Sequence, residues 1–146
     1  MTLHLREPVA ITGARGFIGQ RLAAILTLQG VDVRCWSRPE VDLQDPFSVL
    51  AAVNRDLPRT VFHLASAGVS SARANDPAVI FADLQMMRCL LSSLHKETRL
   101  IYAGSMSEYG KAGILAEADR CTPSTAYVWQ SLRQAPWAQL IFLRKT

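Results

Sequence analysis

The sequence predicts an α/β fold, a doubly wound parallel sheet with helices on both faces. Four short apolar runs alternate along the chain with segments in which apolar residues recur at helical spacing. A glycine-rich loop, "GARGFIG" at residues 13–19, joins the first apolar run to the first helical segment. Parallel strands need long crossover connections, so this alternation favours successive βαβ units.

The first strand is predicted at residues 8–12, where a short apolar run ends at Gly13. The first helix follows the glycine-rich loop and stops at Gly30, a residue suited to the end of a helix. Its apolar positions recur three or four residues apart, as expected for a helix face. They are Ile18, Leu22, Ile25, Leu26 and Leu28.

The second strand is predicted at residues 31–36, where apolar and polar residues alternate. A helix is predicted at residues 45–56. Asp45 suits the N-cap position of that helix, and Pro46 suits its first helical position.

The third and fourth strands are predicted at residues 60–66 and 99–105, both largely apolar. The segment between them has a long amphipathic pattern at residues 76–96. Asp76 and Pro77 open that segment in the same way as the preceding helix.

The composition argues against several classes of protein. Apolar residues make up 49% of the 146 residues, too many for a disordered chain and enough for one domain with a core. No apolar run is long enough to span a bilayer and the start lacks a signal-peptide layout, so we expect a cytoplasmic protein without a membrane partner. The net charge of +4 comes from scattered basic residues, which does not favour nucleic acid as a partner. The three cysteines are far apart, and no metal site is expected.

The glycines in the loop are spaced for binding a dinucleotide, as in Rossmann-like folds. Gly13 allows a sharp turn off the strand, Gly16 allows close approach of a pyrophosphate, and Gly19 lets the helix pack near the sheet. The helix N-terminus then offers free N–H groups and a partial positive charge to the phosphates. Because the loop lies between a strand and a helix, a tight turn without a ligand is the weaker interpretation.

The stretch "TGARGFIG", Thr12 to Gly19, resembles the signature of extended short-chain dehydrogenases/reductases, the NAD-dependent epimerase/dehydratase group. The resemblance runs from about Pro8 to Tyr127. Its further matches, in order, are "VDLQD" at residues 41–45, "VFHLAS" at 61–66, the pair Asp76-Pro77, and "YAGSMSEYG" at 102–110.

The resemblance implies a Rossmann-like dinucleotide-binding domain at residues 1–127. It also implies an NAD(P)-dependent oxidoreductase or epimerase whose substrate is a nucleotide sugar. Members of this family often form homodimers through the long helix near residues 77–95 and the helix after Tyr127. The fold would be incomplete here, because the C-terminal lobe that binds the substrate is missing.

By the same resemblance, the cofactor site combines the glycine-rich loop with three later segments. The carboxylate of Asp42 would meet the adenine ring. The implied catalytic residues are Ser105, which orients the substrate oxygen, and Tyr127, which exchanges the proton. The implied cofactor-binding residues are Gly13, Arg15, Gly16, Phe17, Ile18, Gly19, Arg38, Asp42, Leu43, Leu64, Ala65 and Ser66.

Charges after the second strand favour NADP over NAD as the cofactor. An acidic residue at this position bonds the ribose 2′-hydroxyl of NAD, whereas an arginine accommodates the 2′-phosphate of NADP. The chain has Ser37 and Arg38 here, with no carboxylate between Val33 and Pro39, and Arg15 could reach the same phosphate. In the alternative interpretation both arginines are exposed loop residues, and NAD binds without an acidic partner.

Three departures from the family pattern bear on catalysis. The family lysine that lowers the pKa of the tyrosine is replaced by Ser131, which cannot supply a cation. Met106 and Ser107 stand where some family dehydratases carry an Asp-Glu pair. Asp83 stands where an asparagine usually helps to hold a proton path. We therefore expect a catalytically inactive chain. An active NADP-dependent enzyme, a cofactor-binding module and a structural remnant stay open as functions.

Residues 128–146 do not follow the family pattern. No acidic residue occurs after Asp119, and the segment holds two of the three tryptophans and Pro136, which would interrupt the expected helix. These features predict an atypical C-terminal tail, produced by a shift of the reading frame just after Tyr127. Such a tail should be poorly ordered or irregularly docked.

The gene tests this reading-frame hypothesis. The residues from Val128 to Ser131 can be encoded GTA TGG CAA AGT, and one added G gives GGT ATG GCA AAG, or Gly-Met-Ala-Lys. That reading restores a lysine in the fourth position after Tyr127. We expect a CAA codon for Gln130, an AGT or AGC codon for Ser131, and family-like sequence downstream in the alternative frame. Other codons in the sequenced gene would end the hypothesis.

Overall fold

The computed structural model describes residues 5–68, 76–110, 116, 118–122 and 139–141. The strands in these residues are β1 (Val9–Thr12), β2 (Val33–Trp36), β3 (Thr60–His63), β4 (Arg99–Ala103) and β5 (Gln139–Ile141). The helices are α1 (Phe17–Leu28), α2 (Pro46–Asp56) and α3 (Pro77–Ser93), and a 3-10 turn spans Met106–Tyr109. The five strands form one sheet in the order β2-β1-β3-β4-β5, and all pairs are parallel.

The predicted fold class is therefore confirmed, and all four predicted strands and three predicted helices are present. Each of the four strands is shorter than predicted. The largest difference is at the end of β3, where residues 64–66 leave the sheet and form a loop. Residues 139–141 form β5 within the segment for which irregular docking was expected, so the tail contributes a strand that was not predicted. The rest of residues 128–146 lies outside the described part of the chain.

The strands supply both faces of the sheet with apolar side chains, as strand alternation requires. Ala10 and Val61 belong to a buried cluster that includes residues of α2 and α3. Their neighbours Ile11 and Phe62 belong to a second cluster, which includes Leu26 of α1. Helices therefore cover both faces of the sheet, as a doubly wound fold requires.

Helix α1 buries a narrower stripe than its apolar pattern suggests. Leu26 is buried and Leu22 is half-buried, but Ile18, Ile25 and Leu28 are exposed, Leu28 at 87%. The periodicity predicted the helix correctly and overstated the face that packs on the sheet. The reason is that only one turn-to-turn row of α1 contacts the strands.

The two predicted N-caps are formed as expected. The carboxylate of Asp45 accepts a hydrogen bond of 3.0 Å from the backbone N–H of Phe47, at the start of α2. Asp76 does the same for the N–H of Ala78 at the start of α3, at 2.9 Å. A side-chain acceptor here satisfies one of the free N–H groups of the first turn.

None of the helices in the described residues is both long and apolar enough to cross a membrane.

The strand order places a crevice at one edge of the sheet. Strand β2 lies on one side of β1, and β3 lies on the other, so the chain reverses direction across the sheet at this pair. In open parallel sheets, ligands bind at such a point, beyond the carboxyl ends of the strands. The loops that follow β1, β2, β3 and β4 all meet at this edge.

Candidate functional site

The loop after β1 depends on two glycines for its shape. Gly13 has φ +67°, and a Cβ added there would lie 2.8 Å from the backbone nitrogen of Ala65. A Cβ on Gly19 would lie 2.8 Å from the Cα of Ala14. Both distances are too short for real contacts, so the turn off β1 and the first turn of α1 exclude side chains at these positions.

Gly16 is different, because a side chain there would meet a single protein atom, at a distance that a shift of a few tenths of an ångström would relieve. Its φ is −75°, which any residue can adopt, and an added Cβ would meet only the carbonyl oxygen of Gly13, at 3.1 Å. Gly16 is exposed at the N-cap of α1, beside the free N–H groups of the first turn. The missing side chain therefore leaves room for a ligand at the helix N-terminus.

A buried hydrogen-bond network joins β1 to the loop after β3. The Thr12 hydroxyl oxygen accepts from the N–H groups of Leu64 and Ala65, at 3.1 and 3.2 Å, and lies 2.8 Å from Nδ1 of His63. Because both amides donate to it, the single hydroxyl proton is donated to Nδ1, and His63 carries its own proton on Nε2. Burial lowers the pKa of His63 from 6.5 to about 4, which keeps the imidazole neutral.

The same loop is held from the other side by α3. The carboxylate of Asp83 accepts a hydrogen bond of 2.7 Å from the N–H of Ala67 and one of 3.3 Å from the Ser66 hydroxyl. Asp83 is buried, with 7% of its surface exposed. Desolvation raises the pKa of this carboxyl group, and the two hydrogen bonds oppose the rise.

A cleft of about 600 Å³ lies at this edge of the sheet, between the loops after β1, β2 and β3. Nine of the predicted cofactor-binding residues line it: Gly13, Arg15, Gly16, Arg38, Asp42, Leu43, Leu64, Ala65 and Ser66. The volume suits a small organic ligand. No group of three or more potential metal ligands occurs in the part of the chain that the structure describes.

Two arginines stand together at the cleft. The guanidinium of Arg15 donates a hydrogen bond of 3.2 Å to the backbone carbonyl of Arg38. Gln20 fixes the backbone of Arg15 through a bond of 2.6 Å to its carbonyl. Both arginines are exposed and line the cleft, and Ser37 lies beside them. This arrangement concentrates positive charge where the loops after β1 and β2 meet.

Among the described residues, four of the predicted site residues do not line the cleft. Phe17 and Ile18 are exposed at the start of α1, and Gly19 is buried against the loop. Ser105 follows β4 at the same edge of the sheet, but it does not line the cleft. Tyr127 lies outside the described residues.

Ser105 is held by a reciprocal pair of hydrogen bonds at the start of the 3-10 turn. Its N–H donates to Oε1 of Glu108 at 3.0 Å, and the N–H of Glu108 donates to its carbonyl oxygen at 3.0 Å. The bond from the Ser105 N–H to the Glu108 side chain is one half of a capping box, for which "SMSE" has the required spacing. Glu108 is fully buried, so the position of Ser105 is set by a carboxylate inside the protein.

Several residues that line the cleft were not predicted from the sequence. One is Trp36, whose indole N–H donates to Oδ2 of Asp56 at 2.7 Å, which fixes the ring. A hydrogen bond from Arg55 is the main cause that lowers the pKa of Asp56. An aromatic residue ending β2, directly before Ser37, was the available signal. The other lining residues not predicted are Ser37, Val41, Gln44, Ala67 and Met86.

A comparison with models of protein families assigns the chain to a family. The model of the NAD dependent epimerase/dehydratase family matches residues 9–133, most of the sequence. The protein belongs to this family, and the resemblance seen in the sequence is confirmed. A comparison with curated proteins finds no significant match.

Solved structures of the same fold agree with this assignment. The chain is similar to a UDP-glucose 4-epimerase, with a TM-score of 0.77 and 16% identity over 93% of this chain and 50% of the other. It is similar to UDP-glucose 4-epimerase from Brucella ovis in complex with NAD, with a TM-score of 0.73 and 19% identity over 94% and 50%. It is also similar to RMD from Pseudomonas aeruginosa complexed with NADPH, with a TM-score of 0.73 and 22% identity over 94% and 54%. The chain spans about half the length of these structures.

The low pKa of His63 predicts a stability change in mild acid. Between pH 6.5 and 4 the unfolded chain binds a proton at this histidine and the folded chain does not. The contribution of His63 to the free energy of unfolding should therefore be complete above pH 6.5. It should fall by about 3 kcal/mol as the pH drops to 4. Denaturant unfolding at several pH values measures this change.

Two variants separate this contribution from that of the carboxylates. His63→Asn keeps an acceptor for the Thr12 hydroxyl and does not titrate, so its stability should depend less on pH. His95→Asn replaces an exposed histidine and should retain the wild-type profile. Identical profiles for wild type and His63→Asn would contradict the assignment of a neutral, buried imidazole.

Proposed function

We propose that this chain is the NAD(P)-binding domain of an epimerase/dehydratase-type oxidoreductase. The cleft beyond β1 and β3 is the proposed cofactor site. The observation that carries the proposal is Gly16. It lines the cleft at the N-terminus of α1, where the φ of −75° does not require a glycine and an added Cβ would meet one protein atom, the carbonyl oxygen of Gly13 at 3.1 Å. Close approach of a pyrophosphate to the backbone would explain why this position has no side chain.

The residues of the cleft suit the parts of a dinucleotide. The N-terminus of α1 suits the pyrophosphate, because its free N–H groups and dipole favour an anion. Trp36, Val41 and Leu43 offer an apolar wall for the adenine ring. A bound nicotinamide would supply reversible hydride transfer. The solved structures of the same fold from Brucella ovis and Pseudomonas aeruginosa are complexes with NAD and with NADPH, which supports this class of cofactor.

We further propose that NADP is preferred over NAD. The guanidinium of Arg15 donates to the backbone carbonyl of Arg38 beside Ser37, so both arginines line the same part of the cleft. Between Val33 and Pro39 the chain has no carboxylate that would bond a ribose 2′-hydroxyl. Asp42 also lines the cleft, but its carboxylate accepts from the N–H of Gln44 within its own loop. Two adjacent cations favour the 2′-phosphate.

In this proposal the chain binds cofactor but does not turn over a substrate. Ser131 stands where the family has the lysine that lowers the pKa of the tyrosine, so Tyr127 would stay protonated near neutral pH. A nucleotide sugar is the proposed substrate class, since a UDP-glucose 4-epimerase of the same fold, from Thermotoga maritima, was solved with UDP-glucose. The alternative is a structural remnant, and it would bind neither cofactor.

Substitution of Gly16 tests the cofactor site. Gly16→Val should reduce NADPH affinity at least tenfold, because the side chain occupies the space proposed for the pyrophosphate. The fold should remain, since the backbone at Gly16 is unstrained and the one close contact of an added Cβ, 3.1 Å to the carbonyl oxygen of Gly13, needs a shift of only a few tenths of an ångström. Isothermal titration calorimetry gives the dissociation constants, and thermal unfolding reports on the fold.

Two controls make the result specific. Ala24→Val adds similar volume on an exposed face of α1, away from the cleft, and should leave NADPH affinity unchanged. Gly13→Ala should instead destabilise the fold, because its Cβ meets the backbone of Ala65 and its φ is +67°. Wild-type NADPH affinity in Gly16→Val would refute the proposed site.

Substitutions of the arginines test the proposed preference for NADPH over NADH. We expect NADPH to bind about tenfold or more tightly than NADH, since a charge-assisted hydrogen bond contributes roughly 1.5–3 kcal/mol. Arg38→Ala should remove most of this preference and leave NADH affinity nearly unchanged. Arg34→Ala, which removes an exposed arginine paired with Asp32, is the matched control. Equal affinities of the wild type for NADPH and NADH would disprove the preference.

A further inference from the structure

We propose that Asp83 is a positioning residue for the cofactor cleft. Its carboxylate holds the side chain of Ser66 and the backbone of Ala67 in place and thereby sets the shape of the wall that a dinucleotide would contact. The dinucleotide in this inference rests on the proposed function. The anchoring of the loop by Asp83 does not depend on it.

The contacts of Asp83 are directed at one short loop. One carboxylate oxygen accepts from the Ala67 N–H at 2.7 Å, and the other accepts from the Ser66 hydroxyl at 3.3 Å. The Ser66 hydroxyl oxygen in turn accepts from the N–H of Gly68 at 3.3 Å. Both Ser66 and Ala67 line the cleft, whereas Asp83 is buried behind them. A carboxylate acceptor makes stronger hydrogen bonds than a neutral one, so this anchor is suited to fixing a loop.

The loop is fixed at its other end by Thr12. That hydroxyl accepts from the N–H groups of Leu64 and Ala65, so two elements share the task of holding four consecutive residues. Gly13 approaches Ala65 so closely that no Cβ fits between them. A displacement of the loop at Ala67 would therefore change its packing against the glycine-rich loop.

Helix α3 also anchors the opposite wall of the cleft. The side-chain amide of Gln85 donates to the backbone carbonyl of Gln44 at 3.2 Å, and Met86 lines the cleft itself. Asp83, Gln85 and Met86 lie within about one turn of the helix. The same helix is fixed in the core through Leu90, which is fully buried. One rigid element thus positions two walls, and Asp83 is its contact to the loop after β3.

Substitutions at Asp83 separate geometry from charge. Asp83→Asn keeps an acceptor oxygen for the Ala67 N–H and removes a negative charge from behind a site proposed for an anionic ligand. Asp83→Ala removes the acceptor. Asp83→Glu keeps the charge but moves it by one methylene. A positioning role predicts that the asparagine variant is the least affected of the three.

Two measurements test the proposal on the full chain. Amide hydrogen exchange, followed by NMR, should show protection of the Ala67 N–H in wild type and Asp83→Asn, and at least tenfold faster exchange in Asp83→Ala. Calorimetric titration with NADPH should show affinity within threefold of wild type, or tighter, for Asp83→Asn. For Asp83→Ala, the affinity for NADPH should fall at least tenfold. Asp32→Ala, which removes an exposed aspartate before β2, should change neither quantity.

The outcomes distinguish this inference from the proposed function. If wild type does not bind NADPH, the proposed function fails, and the exchange of the Ala67 amide still decides whether Asp83 holds the loop. Unchanged exchange of that amide in Asp83→Ala overturns the proposal. So does an asparagine variant that loses as much NADPH affinity as the alanine variant. Should Asp83→Ala not fold, weaker NADPH binding by Asp83→Glu than by Asp83→Asn supports it, and equal wild-type binding by both refutes it.

Discussion

The close approach of Gly13 to the loop after β3 is the contact on which the site depends. The backbone of Gly13 lies against Leu64 and Ala65 without space for a Cβ, and the Thr12 hydroxyl binds the N–H groups of both residues. These contacts join β1 and β3 at the point where the strand order reverses. A crevice forms there because the segments after β1 and β3 diverge immediately beyond this contact, one toward α1 and the other toward α3.

The polar groups around this contact are satisfied inside the protein. His63 is neutral because it is buried and accepts the Thr12 proton, which leaves the hydroxyl oxygen for two amides. Asp83 supplies the acceptor for Ala67 on the far side. Such networks are costly when incomplete, so each member constrains the others. The loop at the cleft is therefore defined before any ligand arrives, which lowers the entropic cost of binding.

The glycines illustrate what could be predicted from the sequence and what could not. Their spacing between a strand and a helix predicted the loop and the class of ligand. It did not distinguish their roles, because that depends on which atoms lie nearby. Gly13 and Gly19 are required by the backbone around them, whereas Gly16 is not. Nor did periodicity predict that Ile25 and Leu28 are exposed, since the packing of α1 depends on where the sheet ends.

The sequence by itself determined the fold class, the alternation of four strands with three helices along the chain, and the family, because these follow from local patterns of apolar residues, caps and glycines. Only the tertiary structure decided which residues share the cleft. Trp36 and Met86 are distant in sequence and reach it through β2 and α3, and Arg15 meets Arg38 across two loops. The role of Asp83 was also invisible in the sequence, since its partners lie in a different element. Local chemistry sets which elements form, and the packing of the sheet sets which side chains meet.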